Sequence, residues 1–586
     1  MGKKQILLKG IPAAPGLVIG KAFCLGSEDL KVDRRFIPES QVPKEIVRFE
    51  EALIKTRQEL TELQKKISHE MGVRHAQIFN AHLLVLEDRT LIEEVISRLK
   101  KEKLCIEYVF FQVLKKYIKT FSHIDDEYLR ERVSDIEDVG KRILRNLRGI
   151  RREILSKLKE KLIVVAYDLS PSDTASMHKE KVIGFITDIG GKTSHTAIMA
   201  KALEIPAVVG LEEAMLKIKT GDVLIVDGTK GEVFIHPSRA TLSQYREQSA
   251  QLAQEEISLL KIKQLPAVTR DGHIVELAAN IELPEEIPSL IAHGAKGIGL
   301  YRTEYFYMNR AGLPNEDEHF EAYKNVSQQI KPYSVVIRTL DLGGDKFLSQ
   351  LDIPQEMNPY LGWRAIRFCL ARPDIFKVQL RAILRASVYG KLKVMYPMIS
   401  GIEELRQANA MLEEVKEELR KHRIPFDKDI EVGAMIEIPS AALTSDILAK
   451  EVDFFSIGTN DLIQYSIAVD RVNEKIAYLY APTHPAVLRL VKNIIDAGHK
   501  ENIWVGMCGE MAAEPAFILL LLGLGLDEFS VSPAAVPLVK KVVRSVTLAQ
   551  AQDIAAKTLT LTTGKEVEEF CKKKLKELVV WEDVQK

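Results

Sequence analysis

The chain falls into segments that differ in how their hydrophobic residues are spaced. Residues 1–30 and 149–236 contain short apolar runs rich in β-branched residues, typical of buried strands in an α/β domain. From Pro43 to about Asn146 the chain is charged, nearly free of Gly and Pro, and apolar at every third or fourth position. This spacing predicts four helices, over 43–70, 74–101, 105–122 and 126–147. We therefore predict that 1–30 pairs with 149–236, and that residues 31–148 form a helical bundle inserted between them.

A single long helix is predicted next. Residues 239–264 keep apolar positions at helical spacing, and the prolines at 237 and 266 bound the segment. At a rise of 1.5 Å per residue, such a helix spans on the order of 40 Å. We interpret 237–266 as a linker helix, which acts as a spacer or a hinge arm between domains.

The rest of the chain alternates between strand-like and helix-like segments. Eight apolar runs are predicted to be strands, at 274–280, 297–300, 334–340, 393–398, 430–437, 453–457, 503–507 and 528–531. Eight βα units in about 300 residues favour a closed (β/α)8 barrel, which we place at 267–570. The predicted fold class is therefore α/β multidomain: an N-terminal α/β domain with an inserted helical bundle, a long linker helix and a C-terminal (β/α)8 barrel. A charged C-terminal tail, 571–586, has no functional interpretation.

A glycine-rich turn separates an apolar run, Val182–Ile186, from a segment of helix-forming composition, 196–203. The turn reads Gly190-Gly191-Lys192-Thr193-Ser194-His195. Glycines let backbone amides approach a ligand, and amides at a helix N-terminus attract anions, so His195 is a candidate to carry or receive a phosphate. The alternative is that Thr193 or Ser194 is an ordinary N-cap and that His195 is a surface residue.

Charged and polar residues that could bind a substrate or a metal follow several of the predicted barrel strands. They are Arg302, Arg338, Glu437, Asn460, Asp461, Arg471 and Cys508. Reactive residues of such barrels lie past the C-terminal ends of the strands, so we predict that all of these share one mouth. Several arginines indicate a substrate with several negative charges, because guanidinium groups pair with carboxylate and phosphate. Glu437 and Asp461 suit a hard divalent ion, and Cys508 is a candidate acid or nucleophile. Taken singly, an arginine at a strand end is usually a solvated salt-bridge partner, and a lone cysteine is more often a small buried residue. The coincidence of seven such residues at one barrel rim is what favours a composite site.

Composition narrows the classes of function. Lys plus Arg and Asp plus Glu both number 82, so no basic surface for nucleic acid is indicated. The longest apolar run, Phe517–Leu524, is far shorter than the roughly 20 residues of a membrane span. The five cysteines are dispersed without a CxxC pair, which argues against a disulfide framework or a zinc site and favours a cytoplasmic protein.

Four stretches carry a resemblance to a known family. Gly190–His195 resembles the phosphohistidine signature of the phosphoenolpyruvate (PEP)-utilising enzymes, and Asp453–Leu462 resembles their second signature. Asn358–Arg364 and Ala76–Asp88 extend the similarity, which covers nearly the whole chain. Within the family the chain looks like the Enzyme I branch, the PEP–protein phosphotransferases of the bacterial sugar phosphotransferase system.

The resemblance implies a reaction and a role for each candidate residue. It implies that PEP phosphorylates Nε2 of His195, that pyruvate is released, and that the phosphoryl group passes to a histidine of the carrier HPr to drive sugar uptake. The implied site roles are substrate binding by Arg302, Arg338, Asn460, Asp461 and Arg471, Mg²⁺ binding by Glu437 and Asp461, and protonation of the enolate by Cys508. The inserted helices are implied to dock HPr, and the barrel is implied to form a homodimer.

Two enzymes of the same family are alternatives, PEP synthase and pyruvate phosphate dikinase. Both need an ATP-binding domain ahead of the phosphohistidine domain, and no nucleotide-binding glycine loop precedes His195 in this sequence. A further alternative is a binding module that keeps the fold without catalysis. The presence of His195 and of all seven mouth residues argues against it. Two details depart from the family pattern. Val472 stands where Gly is common, and we expect a local backbone change there; Leu462-Ile463-Gln464 stands where Leu-Thr-Gln is usual.

The resemblance also implies movement. His195 has to meet PEP in the barrel and HPr on the inserted helices, and one histidine cannot face both at once. We therefore expect the N-terminal domain to swing on the linker at 237–266.

Overall fold

The computed structural model describes residues 5–25, 32–70, 82–83, 85–122, 136, 139–149, 160–169, 181–190, 200, 205–307, 313–342, 356, 358–471, 473 and 475–579. The chain divides into two compact units, Met1–Leu252 and Ala253–Lys586. The first unit contains a mixed sheet and a group of helices, and the second contains a closed barrel. This architecture confirms the predicted fold class.

The first unit is built on an eight-stranded sheet of order β1-β8-β7-β3-β4-β5-β6-β2. Its strands are β1 (Ile6–Lys9), β2 (Ile11–Ala14), β3 (Leu17–Leu25), β4 (Leu162–Ala166), β5 (Val182–Thr187), β6 (Ala207–Val209), β7 (Val223–Asp227) and β8 (Glu232–Ile235). Strands β3 to β6 are parallel, and the other pairings are antiparallel. Strands from residues 6–25 therefore pair with strands from residues 162–235, as the sequence predicts.

The central strands of this sheet are apolar on both faces. Val164 and Phe185 belong to one core cluster, whereas their neighbours Ile163 and Ile186 belong to another. Successive side chains of a strand point to opposite faces of the sheet. A strand that is covered on both faces therefore has a continuous run of apolar residues in its sequence. The buried strand predicted from Val182–Ile186 is confirmed as β5.

The inserted segment is helical where it is described. Its helices are Val42–Glu70, Arg89–Glu102 and Ile106–Ser122, and residues 139–147 are also helical. The prediction of one helix over 74–101 is wrong at its centre, because a helix begins at Arg89. Asp88 has an extended backbone, and its carboxylate accepts a hydrogen bond from the backbone N–H of Leu91 at 3.0 Å. Residues 74–81 lie outside the described residues.

The long helix predicted over 239–264 is confirmed as Arg239–Lys261. It has 23 residues, which corresponds to about 35 Å at 1.5 Å per residue. The helix crosses the division of the chain at Leu252 and Ala253. It therefore belongs in part to each unit.

The second unit is built on eight parallel strands that close into a barrel. They are β9 (Glu276–Ile281), β10 (Ile298–Tyr301), β11 (Ser334–Arg338), β12 (Lys391–Tyr396), β13 (Val432–Ile436), β14 (Phe454–Ile457), β15 (Trp504–Met507) and β16 (Glu528–Val531). Each of the eight predicted strands overlaps one of these. β16 pairs with β9 from Glu276 to Ala279, which closes the barrel. All C-terminal strand ends consequently meet at one mouth.

Helices of the second unit cover the barrel. They are Ile287–His293, Glu316–Ile330, Ile366–Ala371, Pro373–Ala386, Ile402–Lys421, Pro439–Leu443, Ser445–Leu448, Thr459–Ile467, Pro485–Lys500, Pro515–Leu524, Val536–Arg544, Leu548–Thr558 and Gly564–Leu578. The last helix crosses residue 570, where the sequence places the start of a tail, and its Cys571 is buried in the barrel core. Among the described residues, no helix combines the length and apolarity that crossing a bilayer requires.

Candidate active site

The glycine-rich turn follows β5 in the first unit. Gly190 has φ of 121°, a backbone conformation that favours glycine. The strand end before it is fixed by Asp188, whose carboxylate accepts hydrogen bonds from the backbone N–H groups of Ala214 and Met215. Residues 191–199, including His195, lie outside the described residues. The place of His195 therefore stays a prediction.

In the second unit, the structure brings the predicted mouth residues to the C-terminal ends of the barrel strands. Arg302 follows β10, Arg338 ends β11, Glu437 follows β13 and Cys508 follows β15. The helix Thr459–Ile467 begins just after β14 and carries Asn460 and Asp461 in its first turn, and Arg471 lies in the loop after that helix. Val472, one of the two departures from the family pattern, lies outside the described residues.

A chain of ion pairs runs through the centre of this mouth. A guanidinium nitrogen of Arg338 lies 3.1 Å from Asp341, and Arg338 also pairs with Glu304. The other carboxylate oxygen of Asp341 lies 2.8 Å from Arg364, which is 3.8 Å from Asp461. The Asp341 side chain is only 5% exposed. Burial acts to raise the pKa of Asp341, but the guanidinium groups of Arg338 and Arg364 prevail and lower it.

The two remaining arginines pair with carboxylates nearer the solvent. Arg302 donates a hydrogen bond of 2.7 Å to Glu282, the residue that follows β9. Arg471 lies 3.4 Å from Glu510, whose side chain is 83% exposed. Each predicted substrate-binding arginine thus faces a carboxylate, which presents two oxygens as a phosphate or a substrate carboxylate does.

Glu437 lies in a tight, buried position between loops. Its Oε1 accepts a hydrogen bond of 2.7 Å from the backbone N–H of Met398. A Cβ on Gly458 would lie 2.6 Å from the other carboxylate oxygen, so only glycine fits there. Burial first, and then the negative charges of Asp461 and Asp341, raise the pKa of Glu437 well above its usual range.

This pair of carboxylates fits a divalent cation. A cation held by Glu437 and Asp461 offsets the repulsion and the burial that raise the pKa of Glu437. No group of three or more His, Cys, Asp or Glu residues suited to a metal occurs in the described ranges. Two carboxylates suit an ion such as Mg²⁺, which takes one or two protein carboxylates and fills its other positions with water and substrate oxygens.

Cys508 is buried at the barrel mouth beside the arginines. It belongs to the cluster that fills the barrel interior with Leu300, Val336 and Met435. Its carbonyl accepts a hydrogen bond of 3.0 Å from the side-chain amide of Asn280. Burial raises the pKa of its thiol to about 11, although the nearby Ser456 hydroxyl and the charges of Arg338 and Arg302 act in the opposite direction. The thiol is protonated at neutral pH, which suits an acid rather than a thiolate nucleophile.

Asn460 fastens two loops of the mouth together. Its side-chain oxygen accepts the backbone N–H of Glu510 at 3.1 Å, and its carbonyl accepts the hydroxyl of Tyr480 at 3.4 Å. The side-chain oxygen of Asn460 is thus already engaged, which leaves its NH₂ group to donate a hydrogen bond to a substrate oxygen. The helix start on which it lies also supplies backbone N–H groups that favour anions.

Sequence reasoning missed the carboxylates that hold the arginines, and it missed Arg364. The segment Asn358–Arg364 carried part of the family resemblance, so Arg364 could have been found there. Asp341 comes three residues after Arg338, and Glu304 comes two residues after Arg302. Both follow strand ends, so the rule that located the arginines applies equally to them.

Three family models match the chain, all of PEP-utilising enzymes. The N-terminal model matches residues 9–132, the mobile-domain model matches 158–231, and the PEP-binding-domain model matches 257–548. The mobile-domain match includes His195, and the PEP-binding match includes all seven predicted mouth residues.

The chain is also similar to whole proteins. It is 47% identical to the phosphoenolpyruvate-protein phosphotransferase of Staphylococcus carnosus, over 96% of this chain and 98% of the relative. It is 47% identical to the protein of that name from Bacillus subtilis, over 97% of this chain and 100% of the relative. A solution structure of an Enzyme I protein (nEIt) is 43% identical, covers 42% of this chain and 99% of that one, and has a TM-score of 0.37. The domain models and the full-length relatives agree, and the chain belongs to the PEP-utilising enzyme family.

Proposed function

We propose that this protein is a PEP–protein phosphotransferase that moves the phosphoryl group of PEP to its own His195 and then to a histidine of the carrier HPr, for sugar uptake. One observation carries the proposal for the barrel. Four arginines, two clustered carboxylates and a protonated thiol converge at the barrel mouth, which is the set that a phosphorylated carboxylic acid and its enolate need.

In this proposal the arginines bind and orient PEP. Arg302, Arg338 and Arg471 hold its phosphate and carboxylate, and Asn460 donates its side-chain NH₂ to a substrate oxygen. Phosphoryl transfer needs little covalent help from a protein, so position and charge neutralisation supply most of the rate. The buried ion pairs of Asp341 keep the guanidinium groups of Arg338 and Arg364 in place before substrate arrives.

Mg²⁺ is part of the proposal. Glu437 and Asp461 are the residues that would hold the ion. When bound, it offsets negative charge on the phosphoryl oxygens and on the leaving enolate.

Cys508 is proposed as the acid that completes the reaction. The P–O bond to the enolate breaks as the P–N bond to Nε2 of His195 forms, and the neutral imidazole supplies the electron pair. The enolate carbon then takes the proton of the Cys508 thiol and becomes the methyl group of pyruvate. A thiol whose pKa is about 11 holds this proton at neutral pH, and Arg338 and Arg302 stabilise the thiolate that remains.

The partners and the domain boundaries follow from the family resemblance. We propose that the helical insert, 31–148, docks HPr and that the barrel domain, 267–570, forms a homodimer. Large apolar side chains are exposed on loops and short helices that follow the barrel strands, at Leu361, Leu443 and Tyr478, which is consistent with an interface on this unit. The α/β domain that carries His195 comprises 1–30 and 149–236, and 237–266 links it to the barrel.

The proposal is tested with radiolabelled PEP and Mg²⁺ in the absence of nucleotide, for the wild type and His195→Ala. We expect acid-labile, alkali-stable label on the wild type alone, and we expect that label to pass to added HPr. Label that appears only when ATP or AMP is added would instead place the protein with PEP synthase and pyruvate phosphate dikinase. Equal labelling of the variant would remove His195 from the reaction.

A further inference from the structure

A polar side chain stands in an otherwise apolar helix face behind the barrel mouth. Eight residues of the helix Pro373–Ala386 are buried, and Gln379 is the only polar one among them. Its neighbours in the core, Phe376, Leu380 and Ile383, are those expected of a barrel helix. A buried amide costs stability unless its hydrogen bonds are made, so the contacts of Gln379 indicate what it does.

Gln379 bridges the two strand ends that carry Arg302 and Arg338. Its side-chain oxygen accepts the backbone N–H of Leu340 at 2.9 Å, and its nitrogen donates to the hydroxyl of Thr303 at 3.0 Å. Thr303 in turn donates to the carbonyl of Arg338 at 2.8 Å. Thr303 directly follows Arg302, and Leu340 lies two residues after Arg338. One amide thus ties together the ends of β10 and β11.

The bridge is anchored to a second helix. The nitrogen of Gln379 also donates to the hydroxyl of Tyr323 at 3.1 Å, and this hydroxyl lies 2.9 Å from Nδ1 of His319. Both residues belong to the helix Glu316–Ile330. The His319 ring lies 5.2 Å from the ring of Phe306 and 5.4 Å from that of Tyr307, between centroids. The same helix therefore packs on the segment that carries Glu304, a partner of Arg338.

We propose that Gln379 is a positioning residue for substrate binding, which sets the separation and direction of Arg302 and Arg338 without touching the substrate. Fully satisfied buried polar networks specify one arrangement of the elements that they join, whereas an apolar contact permits sliding. Two arginines that bind one small substrate together need this fixed spacing, since a misplacement of about 1 Å can cost on the order of 100-fold. The inference rests on the proposed function.

The test is equilibrium binding of PEP with Mg²⁺, measured by calorimetry on the full chain carrying His195→Ala, which prevents turnover. Added to this parent, Gln379→Leu removes the bridge, and Tyr323→Phe is the matched control, since it deletes one hydroxyl of the same network and leaves the bonds to Thr303 and Leu340. We expect Gln379→Leu to raise Kd by about tenfold or more and Tyr323→Phe to change it less than about threefold. Equal effects of the two variants on Kd, or no effect of Gln379→Leu, would overturn the proposal. A parent that does not bind PEP would instead contradict the proposed function.

Gln379→Glu supplies a second readout, which remains available if Gln379→Leu does not fold. The carboxylate keeps the acceptor for Leu340 but donates to Thr303 only when it is protonated. Relative to the parent at each pH, its affinity for PEP should therefore improve as the pH falls from 8 to 6. An affinity ratio that stays constant with pH would mean that the bridge does not set the position of the arginines.

Discussion

Asp341→Asn removes the carboxylate that Arg338 and Arg364 share. The two guanidinium groups lie 3.1 Å and 2.8 Å from its oxygens, and its side chain is 5% exposed. Loss of one partner of a buried ion pair costs up to about 3–5 kcal/mol, and here it leaves Arg338 with Glu304 and Arg364 with Asp461, 3.8 Å away, as their remaining counterions. We expect the free energy of unfolding of the barrel to fall by that amount, because the asparagine amide cannot neutralise two cations.

Asp374→Asn is the matched control. The Asp374 carboxylate accepts two hydrogen bonds from Arg372, of 2.9 Å and 2.7 Å, but its side chain is 62% exposed. Exposed pairs of this kind contribute between 0 and about 1 kcal/mol. The same substitution in an exposed pair, at hydrogen-bond distances of the same range, thus provides the reference for the buried one.

The assay is urea unfolding followed by tryptophan fluorescence. Of the three tryptophans, Trp363 and Trp504 lie among the described residues of the second unit, so their signals report on the barrel, and Trp581 lies outside the described residues. The pKa of Asp341 is lowered in the folded state, so its contribution is present above the unfolded pKa of about 3.9 and is lost as the pH falls through the folded value. Asp341→Asn should accordingly lose less stability on acidification below about pH 4 than the wild type. Equal losses for the two variants at neutral pH would refute the reasoning.

Three further predictions concern the reaction. Cys508→Ala should slow pyruvate formation by roughly 100-fold or more, which is the usual contribution of a general acid, while the rate of His195 phosphorylation falls far less. Similar losses in both assays would contradict a role of Cys508 in enolate protonation alone. Glu437→Gln should raise the Mg²⁺ concentration needed for labelling by about 10–100-fold, since loss of a metal ligand costs at least as much as loss of a hydrogen bond to a ligand. The variant should not lower the free energy of unfolding, because it removes a buried charge. An unchanged Mg²⁺ requirement would exclude Glu437 as a ligand. The difference in ultraviolet absorbance between wild type and Cys508→Ser should show no thiolate below about pH 9, given a pKa of about 11, and a thiolate at pH 7 would make Cys508 a nucleophile instead.

Local pattern predicted the framework of this protein well. Apolar runs identified all eight barrel strands, because parallel strands covered on both faces must be apolar throughout. The helix break at Asp88 was missed because helical spacing of apolar residues continues on both sides, and only the capping carboxylate marks the interruption. Residue type combined with position after a strand then located Arg302, Arg338, Glu437 and Cys508.

The contacts that hold those residues were not predictable from the sequence. The spacing of apolar residues places Gln379 on the buried face of its helix, but its partners Leu340 and Thr303 lie 39 and 76 positions away and cannot be read from that helix. The same holds for the pair of Arg302 and Glu282, which join the ends of adjacent strands. The sequence pattern predicts which side chains lie at the mouth of the barrel. It does not predict which side chains pair there, because the partners come from strands that are brought together only when the barrel closes.

The arginines of the mouth are already paired with carboxylates before a substrate binds. The exposed fraction of each carboxylate indicates which pairs a substrate can open. Glu510 and Glu282 are 83% and 45% exposed, so water can solvate either carboxylate once a substrate oxygen takes its place on Arg471 or Arg302. Asp341 has no such route, because removing its guanidinium partners would leave a charge in the barrel wall. The proposed function then implies that PEP displaces the outer carboxylates and adds to the inner pairs. The inner arginines therefore have to be correctly placed beforehand, which is the task that the buried bonds of Asp341 and Gln379 perform.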